Sequence, residues 1–560
     1  MIAPTPKQLE IRDALVLDLL VIAPAGCGKT EALALRAQGL LDRGVVAHPQ
    51  KLLVTTFSNR ARDNVRERLA SYLSPSLLRE RISISNFHGV ASRLFRAHAN
   101  TIGLDPAMIL PESDWVAEQC RQRGLNFNAA AVVQTVLRET KQEPRNDEEV
   151  DVELVRRGNA DALAIERLRI SEGRLTYDDL PRIAELILSN DVVADLYASH
   201  FAAVIVDEFQ DLTPQQLRIV NRIGYKRTTF AGDLAQGIYG FAGAQPVEID
   251  RAIRAECAQI VEFSESHRSS PAVLAVVNEL APLTHGQALT CADPSAWPEG
   301  GLAGSVAHDT AAAEADWIVK LSSAILSRAP GHRIGVLART VGRRRFADAA
   351  FAASSVPHYR WDDGVLDTDT AKVVKAMLAR FDLRGYLAAA DKLIFLRDAS
   401  GFEAISDTDG RRNLADALGW VHDLLADGVL PDDLRSRIKV GDSSTLISTA
   451  GVHLLTGHVG KGQQFDWVVV VGLEEDILPD FRAKTSEALS EEARVLSVMV
   501  SRARHGVILA HAADVPNNAG KTWIRTPSRF LSSVAGASPL NAHGIVEWFR
   551  AADWPTLSVR

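Results

Sequence analysis

One segment constrains the fold of this chain more than any other: APAGCGKT at residues 23–30. It follows the apolar run LVLDLLVI and precedes the helix-forming run EALALRAQGLL. A glycine-rich turn between a strand and a helix points several backbone N–H groups inward, and the helix N-terminus adds partial positive charge. The segment therefore predicts a phosphate-binding loop, and with it an α/β domain.

The loop also has the side chains that a nucleoside triphosphate requires. Lys29 is expected to reach the β- and γ-phosphates of ATP, and the Thr30 hydroxyl is expected to ligate Mg²⁺. The usual pattern begins with glycine, whereas this chain has Ala23. The alternative interpretation is a glycine turn that merely precedes a lysine, and the GKT triplet between a strand and a helix disfavours it. The residues expected around the nucleotide phosphates are Ala23, Pro24, Ala25, Gly26, Cys27, Gly28, Lys29 and Thr30.

Short β-branched runs recur between amphipathic stretches along the rest of the chain. Examples are LLVTTF at 52–57, AAVIVDE at 202–208 and WVVVVGL at 467–473. Continuous apolar strands that alternate with helices are typical of parallel sheets covered on both faces. The strands form two groups, before about residue 270 and after about 300, so we expect two α/β domains joined near 288–305.

Two helical stretches interrupt these groups. From Lys29 to Asp207 is 178 residues, more than one nucleotide-binding unit needs. The predicted first domain is 1–97 plus 199–287, with a helical insertion at 98–198. The predicted second domain is 288–363 plus 446–560, with a smaller helical insertion at 364–445.

Composition narrows the class of protein. The net charge of −8 does not indicate a nucleic-acid-binding protein, but a local basic groove is compatible with it. Four cysteines without CxxC spacing favour a reducing compartment and disfavour a structural zinc site. Neither a secretory signal nor an apolar run long enough to span a membrane is visible. We therefore expect a cytoplasmic protein that does not associate with membranes.

Carboxylates, a glutamine and two arginines complete a candidate ATPase site. VIVDEFQD at 204–211 is an apolar strand that ends in Asp207, expected to orient Mg²⁺, and Glu208, expected to activate the attacking water. Gln236 follows a second strand and is placed to sense the γ-phosphate. Arg268 and Arg502 lie at strand–helix junctions and are expected to stabilise charge on the γ-phosphate, as an arginine from a facing domain can. Solvated turns and surface ion pairs are the alternatives for each of these residues taken alone.

Further motifs, in order along the chain, resemble those of the UvrD/Rep-type superfamily 1A helicases. They are TPKQLEIRDA near the N-terminus, TTFSNRARDNVRERL at 55–69, SISNFHGVASRLFR at 83–96, LTYDDL at 175–180, FAGDLAQGIYGF at 230–241, LLTGHVGKGQQFDWVVVVGLEED at 454–476, LSEEARVLSVMVSRAR at 489–504 and PSRFL at 527–531. The resemblance covers nearly the whole chain.

The resemblance implies a fold of two RecA-like parallel-sheet motor domains, the second with a small, mostly helical insertion. It implies an ATP-driven motor that moves 3′-to-5′ on single-stranded DNA and acts on 3′-tailed duplexes, in DNA repair or in phage defence. It is also compatible with a partner protein such as a nuclease. The alternative is a nucleic-acid-stimulated ATPase that acts as a sensor or regulatory subunit with little unwinding of its own. An inactive scaffold is disfavoured because the ATPase residues are all present.

The resemblance also assigns residues. Gln8 matches the contact to the adenine base, and two departures fall beside the nucleotide: His267 replaces the usual tyrosine and Gln464 the usual glutamate. Glu31 replaces an arginine that commonly follows GKT. Tyr239 and Phe241 have flat faces on which bases could stack, with ordinary core packing as the alternative. The residues expected to contact nucleic acid are Phe57, Asn59, Arg60, His88, Tyr239, Phe241, Thr456, His458 and Lys461.

Overall fold

The computed structural model of the protein describes residues 3–57, 59–111, 115–240, 243–361, 365–366, 368–404, 408–426, 429–440, 449–516 and 521–559. The predicted base-stacking residue Phe241 lies outside these residues, and so do the side chains of Asn59 and Arg60.

The first sheet has six described strands, all parallel, in the order β3–β2–β4–β5–β1–β6. Their β-branched residues are buried along the central strands, because helices cover both faces. Their bounds are β1 Leu19–Ile22, β2 Lys51–Thr56, β3 Ile82–Asn86, β4 Phe201–Asp207, β5 Thr228–Gly232 and β6 Gln259–Glu262.

A short parallel pair, β7 Glu265–Ser266 and β8 Thr290–Cys291, leads to the second sheet. In the described part of that sheet the order is β11–β14–β10–β15–β16–β17, and β9 also pairs with β16. Only β17 runs antiparallel to its neighbour. The bounds are β9 Leu302–Thr310, β10 Arg333–Ala338, β11 His358–Arg360, β14 Gly451–Thr456, β15 Phe465–Val471, β16 Ala503–Pro516 and β17 Thr522–Ile524, with a separate pair β12 Val365–Leu366 and β13 Lys439–Val440.

Most of the remaining described residues form helices. Up to the end of the first sheet these are α1 Pro6–Asp13, α2 Lys29–Asp42, α3 Asn59–Ala70, α4 Pro75–Arg81, α5 Phe87–His98, α6 Trp115–Gln122, α7 Phe127–Thr140, α8 Asp147–Arg157, α9 Ala160–Ser171, α10 Asp179–Leu188, α11 Asp191–His200, α12 Pro214–Gly224 and α13 Pro246–Glu256. Beyond it they are α14 Pro271–Thr284, α15 Ala311–Arg328, α16 Val341–Ala352, α17 Thr368–Leu378, α18 Leu383–Ala388, α19 Lys392–Ser400, α20 Thr408–Ala426, α21 Pro431–Arg437, α22 Ser486–Val500, α23 Arg529–Ser533, α24 Ala542–Ala551 and α25 Trp554–Val559.

The two helical stretches expected from the sequence have apolar clusters of their own. Cys120, Leu137 and Leu154 belong to the cluster between α6 and α9. Tyr386 and Leu418 belong to the cluster between α17 and α21. The predicted α/β fold with two mainly parallel sheets is therefore confirmed, whereas the exact domain boundaries remain predictions.

The segment that follows β7 is attached to the second sheet. Ser269 Oγ donates a hydrogen bond to the Ala503 carbonyl oxygen (2.7 Å), and the Ser270 N–H donates to that of Arg504 (2.8 Å). Ser270 also caps α14, which packs against α22 and β16. The predicted boundary at residue 287 assigns α14 to the first domain, but its packing is with elements of the second sheet. Arg268, just before α14, therefore approaches the phosphate-binding loop from that side.

No helix in the described ranges is both long enough and apolar enough to cross a membrane.

Candidate functional site

The phosphate-binding loop joins β1 to α2 and needs glycine at two positions. Gly26 and Gly28 have φ angles of +84° and +83°, in the left-handed region. A Cβ at Gly26 would lie 2.6 Å from the Cβ of Arg268, and one at Gly28 would lie 2.6 Å from Gln8 Nε2. Ala23, by contrast, continues the strand by donating its N–H to the Gly232 carbonyl (2.8 Å). The first position of the motif therefore accepts alanine without backbone strain.

Gln8 links α1 to this loop. Its Oε1 accepts a hydrogen bond from the Thr5 N–H (2.9 Å), and its Nε2 donates to the Gly28 carbonyl (3.3 Å). The side chain is buried. The predicted base-contacting residue is thus held beside the last glycine of the loop.

Lys29 lies between the two carboxylates that end β4. Its Nζ is 2.9 Å from Asp207 Oδ1 and 2.5 Å from Glu208 Oε1. Burial works against ionised carboxylates, but the charge of Lys29 outweighs it at Glu208 and lowers the pKa of that group to about 2. At Asp207, burial raises the pKa in spite of Lys29. The three residues form a compact charge cluster with one cation for two acids.

Glu208 has a strained backbone that aims its side chain at Lys29. Its φ of +60° lies in the left-handed region, which is unusual for a residue other than glycine. Gln210 Nε2 donates to Glu208 Oε2 (2.6 Å), and Gln210 Oε1 accepts the N–H of Asp233 (3.1 Å). Gln210 therefore ties the end of β4 to the end of β5.

Gln236 and Arg502 meet across the cleft between the sheets. Gln236 Nε2 donates to Asp233 Oδ2 (2.9 Å), and Arg502 Nη2 lies 3.5 Å from Gln236 Oε1. Arg502 is 2% exposed, and its Nε donates to the Val498 carbonyl (2.9 Å). Burial, together with the charge of Arg268, lowers the pKa of Arg502 to about 9.

Arg268 is held beside the loop by the segment after β7. The N–H of His267 donates to the Gly26 carbonyl (3.0 Å). With the Gln464 amide turned so that its oxygen faces the guanidinium, that oxygen accepts from Arg268 Nη2 (2.9 Å) and Nε (3.2 Å). Burial lowers the pKa of Arg268 as well. Among the described residues no carboxylate forms an ion pair with Arg268 or Arg502. The half-buried Arg268 and the buried Arg502 therefore have no anionic partner among the residues that the structure describes.

The departures from the family pattern have local structural explanations. Gln464 is bonded to Arg268, while His267 has an exposed side chain. Glu31 accepts a hydrogen bond from the Tyr72 hydroxyl and lies 3.1 Å from Arg68 Nη1. The acidic side chain after the GKT triplet is therefore paired with α3 and the residues that follow it.

Several of the residues predicted to contact nucleic acid lie around Tyr239, three residues beyond Gln236 in the sequence. Phe57 and Tyr239 stack on each other with ring centroids 4.8 Å apart and an interplanar angle of 18°. Both are half-buried, so neither belongs to the closed core. The His458 ring lies 6.4 Å from Tyr239, and burial lowers the pKa of His458 to about 4. Thr456, at the end of β14, is half-buried.

A cavity of about 550 Å³ adjoins this pair, between the first sheet and the larger helical insertion. Phe57, His88, Trp115 and Tyr177 line it together with polar residues. His88 packs edge-on against Tyr177 at 5.5 Å. The predicted strand-binding residues Phe57 and His88 thus share one aromatic surface.

Sequence reasoning missed three residues at this junction. Asp211 accepts from Lys461, Gln210 joins β4 to β5, and Glu491 Oε1 accepts the Gly240 N–H at 3.0 Å. Asp211 and Gln210 lie in the VIVDEFQD segment, where a second acid after a buried strand was a usable signal. Glu491 had no comparable signal.

Comparisons with known proteins agree with this geometry. The family model described as UvrD/REP helicase N-terminal domain matches residues 5–255. The one described as UvrD-like helicase C-terminal domain matches residues 434–513, so together they cover more than half of the chain. The chain belongs to the UvrD-like helicase family. Lys29, Asp207 and Gln236 lie in the first match, Lys461 and Arg502 in the second.

Several UvrD-like relatives align along most of their length. The chain is 26% identical to ATP-dependent DNA helicase UvrD2 of Mycobacterium tuberculosis, over 92% of this chain and 79% of that protein. It is 24% identical to ATP-dependent DNA helicase PcrA of Leuconostoc citreum, over 94% of this chain and 84% of that protein. It is also 24% identical to ATP-dependent DNA helicase UvrD1 of Mycobacterium tuberculosis, over 99% and 87% respectively.

Proposed function

We propose that this UvrD-like protein hydrolyses ATP in the cleft between its two sheets and uses the energy to move 3′-to-5′ along single-stranded DNA, displacing the complementary strand. The observation that carries the proposal is a pair of arginines, one buried and one half-buried, that have no carboxylate partner in the described part of the chain. Arg268 and Arg502 face the phosphate-binding loop from the side of the second sheet. A nucleoside triphosphate would supply the negative charge that both lack.

The donor set at the loop fits Mg²⁺. The Thr30 hydroxyl and the Asp207 carboxylate provide the hard oxygen ligands that this ion prefers. These two residues would hold the ion, which would neutralise charge on the β- and γ-phosphates.

Lys29 has two alternative sets of anionic partners. In the structure it pairs with Asp207 and Glu208. Phosphate oxygens in the loop would draw its ammonium away from Glu208. Against burial, the charges of Lys29 and Lys461 lower the pKa of Glu208 to about 2. Departure of Lys29 would therefore raise that pKa and make Glu208 a stronger base. Nucleotide binding would therefore activate the residue that accepts a proton from the attacking water.

The other residues hold the water and stabilise the departing charge. Gln236, fixed by Asp233, would orient the attacking water, and Arg268 and Arg502 would stabilise charge on the γ-phosphoryl group. Phe57 and Tyr239 would stack on bases without reading sequence. Tyr239 follows Gln236 by three residues, so hydrolysis and strand movement involve one short segment.

Paired assays test this proposal. We expect oligo(dT) to stimulate ATP turnover, and a 3′-tailed duplex to be unwound in preference to a 5′-tailed one. The matched control is the Lys29→Ala variant, which should do neither. The absence of both DNA stimulation and strand release would contradict the proposal.

The size of the second helical insertion favours the alternative of weak unwinding by the isolated chain. Its described helices, α17 to α21, all lie within residues 368–437, and their sequences carry mixed charge rather than a basic face for duplex DNA. DNA-stimulated turnover with little strand release at low protein concentration would support a sensor or regulatory role, or dependence on a partner. A nuclease partner, the choice between DNA repair and phage defence, and the cytoplasmic location stay predictions from the sequence.

A further inference from the structure

One lysine crosses the cleft with all of its hydrogen-bond donors engaged. Lys461 follows β14 of the second sheet, and its Nζ donates to both carboxylate oxygens of Asp211 (2.7 and 2.8 Å) and to the Gln236 carbonyl (2.8 Å). An ammonium group has three N–H donors. In this arrangement Lys461 has no donor left for a DNA phosphate.

The same ammonium also contacts the base-stacking pair. Lys461 Nζ lies 4.6 Å from the centroid of the Tyr239 ring, and Tyr239 stacks on Phe57. Gly240, which follows Tyr239 in the sequence, donates its N–H to Glu491 of α22. The segment 236–240 is therefore held at one end by Lys461, which follows β14, and at the other end by Glu491 of α22.

Asp211 is the residue that fixes Lys461 in this place. Its side chain is 2% exposed and that of Lys461 is 10% exposed, so the pair is shielded from solvent. Asp211 lies on a short turn directly after β4, four residues beyond Asp207. Loss of one partner of a buried pair leaves the other uncompensated, so Lys461 would not keep this position without Asp211.

We propose that Asp211 is a positioning residue that holds Lys461 as a strut between the two sheets. This strut couples the stacking of DNA bases on Tyr239 to the position of Gln236. It rests on the proposed function, because coupling presupposes DNA-stimulated hydrolysis. A strand that shifts the Tyr239 ring moves the ammonium above it, and the ammonium is bonded to the backbone of the residue that orients the water. Lys461 thus acts through Asp211 and Gln236 and not as a phosphate ligand.

The test compares Asp211→Asn, Lys461→Met and the double variant with the wild-type protein. The measured quantity is the ratio of oligo(dT)-stimulated to basal ATP turnover. Asparagine keeps the shape of Asp211 but replaces one acceptor oxygen with a donor that faces the ammonium. We expect the ratio to fall about tenfold in each single variant, within the roughly 5- to 150-fold range of coupling between sites. The double variant should fall no further, because the two residues act as one unit.

Two controls separate this role from others. Lys320→Met, on the outer helix α15, removes an exposed lysine and should keep the wild-type ratio. The salt dependence of oligo(dT) affinity should not change in Lys461→Met, whereas loss of a phosphate contact would reduce its slope by about one.

Different results of this test would contradict the proposed function and the strut. A wild-type protein with neither DNA stimulation nor strand release would refute the proposed function itself, and strand release without DNA stimulation would overturn the strut. With stimulation present, an Asp211→Asn ratio within about twofold of wild type, additive losses in the double variant, or a reduced salt slope in Lys461→Met would overturn the strut. Should Asp211→Asn lose its cooperative thermal transition, Lys461→Met provides the same comparison from the other side of the pair.

Discussion

Gly26→Ala tests whether catalysis needs the close contact between the phosphate-binding loop and the Arg268 segment. The φ of +84° at Gly26 costs any other residue about 1–2 kcal/mol. The added methyl group would lie 2.6 Å from Arg268 Cβ and 2.8 Å from Ser266 Oγ, and such overpacking costs about 1–3 kcal/mol more. We therefore expect a total destabilisation of about 2–5 kcal/mol in the assembled site.

The Arg268 segment can relieve this clash by moving away from the loop, because it is attached to the second sheet through Ser269 and Ser270. An arginine that acts on the γ-phosphate contributes about 10³- to 10⁵-fold to turnover, so its displacement should lower turnover at least about 100-fold. The assay is steady-state ATP turnover with oligo(dT), together with denaturant unfolding.

Gly44→Ala is the matched control. Gly44 also has a left-handed φ, +69°, but a Cβ there would meet no atom within 4 Å. It should lose only the about 1–2 kcal/mol of backbone strain and keep its turnover. If Gly26→Ala turned over ATP within about tenfold of Gly44→Ala, the contact with Arg268 would not contribute what an arginine finger contributes.

Four further predictions address Lys29, Arg502, the stacking pair and acid stability. Lys29→Ala should abolish ATP hydrolysis and Arg502→Ala should reduce turnover by about 10³-fold with modest loss of nucleotide affinity, both read from turnover and nucleotide titrations. Phe57→Ala should weaken oligo(dT) binding by about 1–3 kcal/mol in a fluorescence titration, whereas Phe481→Ala, at an exposed site, should not. Burial lowers the pKa of His458 from 6.5 to about 4, so its contribution to stability is present above pH 6.5 and is lost as the pH falls towards 4. His458→Gln should flatten that part of the plot of thermal midpoint against pH.

Local pattern in the sequence was enough to predict most of the first sheet and its loop. The apolar runs at 52–57 and 202–208 correspond to β2 and β4, and APAGCGKT joins β1 to α2. These elements follow from neighbouring residues: β-branched runs buried on both faces, and glycines where the backbone needs a positive φ. The acids at the end of β4 were visible for the same reason.

Contacts across the cleft could not be predicted in this way. Lys461 and Asp211 are 250 residues apart, and the bond from the Gly240 N–H to Glu491 depends on how the second sheet meets the first. No periodicity in the sequence indicates which residues meet across the cleft. The departure at Glu31 was visible in the sequence, but its explanation, pairing with Tyr72 and Arg68, required the position of α3.

The distribution of charge around the loop indicates why the cleft would respond to nucleotide. On one side Lys29 is paired with two acids, and on the other Arg268 and Arg502 have no carboxylate among the described residues. Burial lowers the pKa of both arginines, so keeping them charged without an anion opposes close approach of the two sheets. A triphosphate in the loop would reverse this balance, because it supplies anionic oxygens to the arginines and to Lys29 at once. Hydrolysis and phosphate release would remove these anionic oxygens, so that the charged arginines would again oppose close approach of the two sheets. The two guanidinium groups that we propose to stabilise the γ-phosphoryl charge would then make closure of the cleft depend on the γ-phosphate, as a motor that alternates between two states requires.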